Sequence, residues 1–210
     1  DFDPFFAPDG LGVYFFSNRP GGLGKDDISF APFDPATETY GAPQNLGPTI
    51  NSAGNEWAPA VSNDGDTLLF SSDGRGGEGK QDLFFAARDG AGWAKAEPLG
   101  APVNGPNDDF DATFLPDDSG IVMTSGDLDG DGGTKLYLSL ITPGGFTKPQ
   151  EIGPEINCSS GLTLGPSLSR QEPGKLFFSS NCQKAGVGRM DIFRAPMPAY
   201  DWSREPREAN

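Results

Sequence analysis

Carboxylate and aromatic side chains recur at three consecutive positions of the sequence, at intervals of 53 to 55 residues. The four occurrences read Asp1-Phe2-Asp3, Glu56-Trp57-Ala58, Asp109-Phe110-Asp111 and Thr163-Leu164-Gly165. Carboxylates accept hydrogen bonds from hydroxyl, ammonium and guanidinium groups, and aromatic rings stack on the apolar faces of sugars and on cations. Gathered at one place, these residues would bind a sugar, a cation, or the lysine and arginine side chains of a partner.

Paired carboxylates also catalyse glycoside hydrolysis, a reaction that requires no histidine. It requires one carboxyl group with a raised pKa, at about 5–5.5 Å or about 6.5–9.5 Å from a second one. The candidates are Asp1, Asp3, Glu56, Asp109 and Asp111. The structural alternative is that these carboxylates accept hydrogen bonds from backbone amides and that the aromatic side chains pack in the interior.

A second acidic motif, Asp127-Leu128-Asp129-Gly130-Asp131-Gly132, matches the start of a calcium-binding loop. Alternating carboxylates converge on one point where glycine lets the chain turn sharply, so the motif favours Ca²⁺ bound by Asp127, Asp129 and Asp131. The twelfth position of such a loop is a glutamate that binds through both oxygens, and here it is Leu138. The alternative is an acidic turn in contact with solvent.

Charge and composition exclude several classes of function. The 210 residues include 30 acidic and 15 basic side chains, and the net charge of −15 repels phosphate backbones and anionic lipid surfaces. The absence of histidine excludes Ser-His-Asp and Cys-His nucleophile pairs and histidine-ligated metal centres. Since no apolar run approaches the roughly 18 residues of a membrane span, we expect neither nucleic-acid binding nor direct membrane insertion.

The motifs follow a repeat of about 53 residues that is present in four copies. The strings Leu46–Asn51, Leu99–Asn104 and Ile152–Asn157 each end in an asparagine, and these asparagines are 53 residues apart. The 30 glycines and 20 prolines argue against long helices. Clusters of Gly, Pro, Asn and Asp divide each copy into four strand-like segments. The sequence begins without methionine, so we expect a processed chain or an excerpt of a longer product.

A four-stranded unit of this length, repeated around an axis, is a β-propeller blade. The second strand of each copy is apolar at consecutive positions, which indicates that both of its faces are covered. The sequence therefore predicts an all-β protein, a single propeller domain of antiparallel four-stranded blades, at approximately residues 1–54, 55–107, 108–160 and 161–210. The four copies form either a four-bladed ring or an arc of a five- or six-bladed ring. In this topology the recurring carboxylates and aromatic residues surround the mouth of the central channel.

Several short motifs carry a likeness to a known family. They are Pro8-Asp9-Gly10, Phe15-Phe16-Ser17-Asn18, Arg19-Pro20-Gly21-Gly22, and Asp27-Ile28 at the start of the third strand. With these motifs the chain resembles the WD40-like repeats of TolB-type β-propellers over all four copies, although copy 3 has Lys135 in place of the aspartate and copy 4 lacks the Pro-Asp-Gly turn. The resemblance implies a bacterial, extracytoplasmic scaffold or binding domain, and it implies no reaction.

The two cysteines are predicted to form a disulfide. In the blade topology Cys158 lies in the link that enters the fourth blade and Cys182 in the second hairpin of that blade, so both lie on one face. The bond would close a loop of about 25 residues, stabilise the fold by roughly 3 kcal/mol and indicate an oxidising compartment. The alternative is two free thiols.

Together these observations predict a non-catalytic binding or scaffold module that is periplasmic or secreted. Rigid blades with variable loops offer a broad surface, and the acidic charge attracts basic partners. We expect a protein partner that is basic or belongs to an envelope or membrane-associated complex. The alternative function is a propeller that binds a glycan or hydrolyses glycosides with the carboxylates at the channel mouth.

Overall fold

The computed structural model describes residues 1–130, 132–169, 172, 174–182 and 188–197. They form four antiparallel sheets arranged as a four-bladed β-propeller, with no helix in these ranges, which confirms the predicted all-β fold. Blade 1 contains β1 (Phe2–Phe6), β2 (Gly12–Ser17), β3 (Asp27–Asp34), β4 (Thr39–Tyr40) and β5 (Gln44–Asn45). Blade 2 contains β6 (Glu56–Val61), β7 (Thr67–Ser72), β8 (Asp82–Asp89), β9 (Gly92–Trp93) and β10 (Glu97–Pro98). Blade 3 contains β11 (Asp108–Phe114), β12 (Gly120–Asp127), β13 (Gly133–Thr142), β14 (Gly145–Phe146) and β15 (Gln150–Glu151), and blade 4 contains β16 (Thr163–Leu168), β17 (Lys175–Ser180) and β18 (Asp191–Pro196).

The fourth, outermost strand of blades 1 to 3 is divided into two short pieces. In blade 1, β4 and β5 both pair with β3, and the chain between them contains Pro43. Proline has no N–H to donate to the ladder, so pairing stops there and resumes beyond it. The residues that would form the fourth strand of blade 4, 198–210, lie outside the described part of the chain.

The innermost strand of every blade contains the same β-bulge. The bulged residues have positive φ: Asp3 (47°), Ala58 (49°), Asp111 (44°) and Gly165 (63°). In each blade the strand register shifts across this position. Positive φ is unusual for a residue other than glycine, and its repetition in four blades marks the bulge as a built feature of the fold. No shared residue type identifies it in the sequence.

The consecutive apolar residues of the second strands pack between blades. Tyr14 of blade 1 lies in one cluster with Leu68 and Phe70 of blade 2, and the equivalent residues of blades 2 and 3, and of blades 3 and 4, form two further clusters. Alternate side chains of the second strands of blades 2 and 3 therefore contact the preceding and the following blade. This arrangement explains why the strand carries apolar side chains on both of its faces.

Blades 1 and 4 each leave one sheet face without a neighbouring blade in the described part of the chain. Ile28, Leu83 and Leu136 contact the next blade and are 0% exposed, whereas Ile192, at the same register position of blade 4, is 79% exposed. On the opposite side, Phe6 of blade 1 is 60% exposed, although its equivalent in blade 2, Val61, is 1% exposed.

The repeated asparagines have a structural role that the sequence pattern did not specify. The Asn51 side chain accepts a hydrogen bond from Ile28 N (2.8 Å) and donates one to Ile28 O (2.9 Å). Asn104 and Asn157 bind the backbone of Leu83 and Leu136 in the same way. Each asparagine thus satisfies the N–H of a buried residue at the start of the third strand. It shares the C=O of that residue with the backbone N–H that directly follows the fourth strand, which belongs to Leu46, Leu99 or Ile152.

Candidate functional site

The four bulges line a cavity of about 290 Å³ where the innermost strands face one another. Asp3 and Asp111 contribute carboxylates to its wall, while Ala58 and Gly165 occupy the other two bulge positions. The remaining lining is largely proline, alanine and other small or apolar residues. Of the eight predicted channel-mouth residues, the structure places these two carboxylates inside the channel.

The two channel carboxylates interact with each other electrostatically. Burial raises the pKa of Asp3. Burial, together with the charge of Asp3, raises the pKa of Asp111 to about 7, although a hydrogen bond from the Gly165 backbone opposes this shift. No basic side chain of the described residues forms an ion pair with either of them. A carboxyl group that titrates near neutral pH in a cavity is a common mark of a functional site.

Glu56 lies outside the channel and has a structural role. Its side chain is fully buried and accepts hydrogen bonds from Ser52 N (2.8 Å), Ser52 Oγ (2.5 Å) and Ser72 Oγ (2.8 Å). Arg75 Nε lies 3.9 Å from Glu56 Oε1. Ser52 belongs to the link between blades 1 and 2, whereas the other three residues belong to blade 2, so the carboxylate ties the link to the blade that it enters.

The other predicted channel-mouth residues lie in packing or surface positions. Trp57 Nε1 donates to Asp26 Oδ2 of the preceding blade (2.9 Å), and Phe110 is buried. Asp109 is buried and accepts a hydrogen bond from Gly105 N (2.7 Å), and its burial raises its pKa. Asp1 and Phe2 are exposed: Asp1 pairs with Arg19 (2.6 Å), and Phe2 stacks on Phe16 with ring centroids 5.2 Å apart.

The acidic motif of blade 3 faces a lysine of blade 2. Lys80 Nζ lies 3.6 Å from Asp127 Oδ1 and 4.0 Å from Asp129 Oδ2, and Asp131 lies outside the described residues. Within the described ranges, no three carboxylate or thiol side chains are grouped so as to hold a metal ion. Calcium binding by this motif stays a prediction.

The predicted disulfide between Cys158 and Cys182 is present, with Cα atoms 6.3 Å apart. Its position corresponds to that of Ser52 and Gly74 at the junction of blades 1 and 2, where a side chain added at Gly74 would overlap Ser52 Oγ. Thr163 of blade 4 takes the place of Glu56. The disulfide therefore occupies the site at which hydrogen bonds close the earlier junction.

Comparison with known proteins identifies the fold. Neither a family model nor a curated protein sequence matches the chain. Among solved structures, it is similar to TolB from Acinetobacter baumannii (TM-score 0.59, 15% identity, 94% of this chain and 41% of that one). It is also similar to a putative TolB from Agrobacterium tumefaciens (TM-score 0.59, 18% identity, 94% of this chain and 61% of that one). An α-L-arabinofuranosidase from Lactobacillus brevis matches with TM-score 0.57 and 18% identity, over 96% of this chain and 69% of that one.

The neighbours thus include TolB proteins as well as an enzyme that acts on sugars, and at these identities they share the propeller fold with this chain. The chain spans 41% and 61% of the lengths of the two TolB proteins. The described residues contain no helix of the length and apolarity that a membrane crossing requires.

Proposed function

We propose that this chain is a non-catalytic binding module of an extracytoplasmic protein, and that it holds a cationic side chain of a protein partner between Asp3 and Asp111. The observation that carries the proposal is this carboxylate pair in the channel, which has no basic partner among the described residues. Such a pair lacks a compensating charge, and a lysine or arginine of the partner would supply it.

The surroundings of the pair favour a cation over other ligands. Ala58 and Gly165 leave room beside the carboxylates, and the apolar lining offers few other hydrogen-bonding groups. Two carboxyl groups in one cavity repel each other, and a cation between them lowers the free energy of the ionised form. The net charge of −15 attracts basic partners over a longer range.

The disulfide supports an extracytoplasmic location, because disulfides persist in oxidising compartments. A rigid propeller that presents an acidic surface suits an accessory subunit of an envelope or membrane-associated complex. A basic loop of another subunit is the partner that this chemistry recognises.

Isothermal titration calorimetry with trilysine and triarginine, and with triglycine as the neutral control, tests the proposal. We expect the basic peptides to bind and the double variant Asp3→Asn/Asp111→Asn to bind them at least tenfold more weakly, or about 1.4 kcal/mol. The double variant Asp34→Asn/Asp89→Asn removes the same charge from exposed positions and should bind nearly as the wild type does. Equal losses in the two double variants would show that the peptides respond only to net charge.

The pKa of Asp111 adds a second readout with the same variants. The pKa of Asp111 is raised from 3.8 to about 7 in the folded chain, so ionisation of this carboxyl group destabilises the fold. The destabilisation grows as the pH rises from 3.8 to about 7 and stays constant at higher pH. Asp111→Asn should therefore raise stability at pH 8 relative to pH 4 by about 1–2 kcal/mol, less than the full shift because the channel is open to water. A bound cation should lower this pKa and release protons near pH 7, which titration in buffers of different ionisation enthalpy measures.

Glycoside hydrolysis is the second candidate function. Asp111 has the raised pKa of a general acid and lies beside a second carboxyl group, which is the arrangement that this chemistry uses. Hydrolysis of nitrophenyl arabinofuranosides or xylosides, abolished in Asp111→Asn, would support catalysis and contradict a purely binding role. No turnover together with peptide binding would favour the binding module.

A further inference from the structure

A cavity of about 710 Å³ lies between blades 1 and 2, away from the channel. It opens beside the turns that connect the first and second strands, Pro8-Asp9-Gly10 and Asn63-Asp64-Gly65. This volume is within the range of roughly 300–1,000 Å³ that small-ligand sites occupy. We call it the inter-blade cleft.

The cleft exists because a bridge between adjacent turns is missing. At the next junction, Asn63 of blade 2 and Asp118 of blade 3 connect the turns: Asn63 N and Nδ2 both donate to Asp118 Oδ1, at 2.9 and 2.8 Å. The residues at the same two places between blades 1 and 2 are Pro8 and Gly65. Proline has no N–H and glycine no side chain, so neither bond can form and the turns stay apart.

The floor of the cleft is aromatic. Tyr14, Phe30 and Trp93 line it, with Tyr14 and Phe30 centroids 4.7 Å apart and Tyr14 and Trp93 centroids 6.1 Å apart. Tyr14 and Trp93 are only 4% and 7% exposed, so the half-buried Phe30 is the most accessible of the three rings. Arg88 lies over the Trp93 ring, 3.8 Å from its centroid, and donates to Gly65 O. The equivalent pairs of blades 1 and 3, Phe33 with Tyr40 and Ile141 with Phe146, contain no charged group.

The polar groups of the cleft retain unused hydrogen-bonding capacity. Within the described part of the chain no carboxylate lies within ion-pair distance of Arg88, and the Gln44 amide forms no hydrogen bond. Asp9 and Asp64 contribute carboxylates, and each satisfies only turn contacts of its own. The wall therefore offers both donors and acceptors to a ligand.

We propose that the inter-blade cleft binds a short, neutral oligosaccharide. Hydroxyl groups both donate and accept, so they match a wall that carries guanidinium, amide and carboxylate groups. The two carboxylates repel an anionic ligand. Phe30, the half-buried ring of the floor, suits the apolar face of a sugar ring. This site lies apart from the channel pair and goes beyond the binding function proposed for it.

Titration with a panel of neutral trisaccharides (cellotriose, xylotriose, arabinotriose, maltotriose and chitotriose), followed by calorimetry and by the indole N–H signal of Trp93, tests the proposal. We expect at least one to bind with a Kd of about 1 mM or tighter and to shift that signal. The failure of all five at about 10 mM would overturn the proposal. Preferential binding of trigalacturonate would contradict the neutral ligand class.

The double variant Pro8→Asn/Gly65→Asp transplants the bridge of the next junction and should close the cleft, with at least a tenfold loss of binding. Position 65 has space for this change, because nothing lies within 4 Å of an added Cβ. Its φ of 82° adds backbone strain, and Asp118 adopts a similar positive φ of 57° in blade 3. Gly174→Asp makes the same change at an exposed turn of blade 4, also at positive φ (81°) with nothing within 4 Å of an added Cβ, and should leave binding intact. Gln44→Ala, at an exposed position, gives a second test that does not depend on the transplanted bridge.

Unchanged sugar binding in both Pro8→Asn/Gly65→Asp and Gln44→Ala would place the sugar elsewhere and overturn the assignment. Asp111→Asn should not change sugar binding, so a failure here is distinguishable from a failure of the channel proposal.

Discussion

The junction between blades 1 and 2 and the junction between blades 3 and 4 close equivalent loops with different chemistry. At the first, the buried Glu56 carboxylate gathers three hydrogen bonds from Ser52 and Ser72. At the second, a covalent bond joins Cys158 and Cys182 and the position of Glu56 is held by Thr163. The common fold therefore fixes where the loops meet and leaves open which interaction joins them.

The two solutions respond to different conditions. The network around Glu56 contains no redox-active group, whereas the disulfide depends on the redox potential of the compartment. Substitutions at each junction should therefore separate their contributions.

The largest effect is expected for Glu56→Ala. It leaves the two serine hydroxyls, one backbone N–H and Arg75 without their shared acceptor inside the protein, and it should lower the free energy of unfolding by about 4 kcal/mol. Urea denaturation at pH 7 measures this loss. Thr163→Val at the equivalent place is the matched control and should cost about 1 kcal/mol or less. Similar losses in the two variants would mean that the junctions do not differ as described.

The double variant Cys158→Ser/Cys182→Ser should lose about 3 kcal/mol, because the unfolded chain regains the entropy of a loop with a sequence separation of 24. Dithiothreitol should destabilise the wild type by a similar amount and leave the variant unchanged. A wild type that keeps its stability after its thiols are shown to be reduced would contradict a stabilising role.

The smallest effect tests what the two junctions share. Asn51→Ala and Asn157→Ala should each lose about 2 kcal/mol, since each leaves the N–H of a buried third-strand residue without a partner, while the C=O of that residue keeps one donor, the N–H of Leu46 or of Ile152. Thermal or urea denaturation of the two variants should give equal losses in oxidising buffer. Clearly unequal losses would show that the hydrogen bonds of these asparagines to the third strand do not contribute equally in the blades.

The fold was predictable from the sequence because its period of about 53 residues is carried by many weak markers in one register. The disulfide followed from the same topology, which brings Cys158 and Cys182 to one face of a blade. These inferences need only the order of the strands, and the spacing of turns and apolar runs in the sequence predicts that order.

The division of the acidic residues between roles was not predictable. Asp109 and Asp111 are two residues apart, yet one closes a loop and the other lines the channel, because the bulge redirects the strand between them. The four bulge residues share a backbone conformation and no residue type. Likewise, the contact of Lys80 with Asp127 joins different blades, and no local sequence pattern predicts it.

The bulge that all four innermost strands share separates the shape of the channel rim from its chemistry. Aspartate, alanine and glycine adopt nearly the same backbone there, with φ between 44° and 63°. The rim is thus a set of four interchangeable positions on one fixed frame, at which side chains can be exchanged independently. A library randomised at positions 3, 58, 111 and 165 would change what the channel accepts while leaving the packing between blades untouched, which makes this chain a scaffold for engineered recognition.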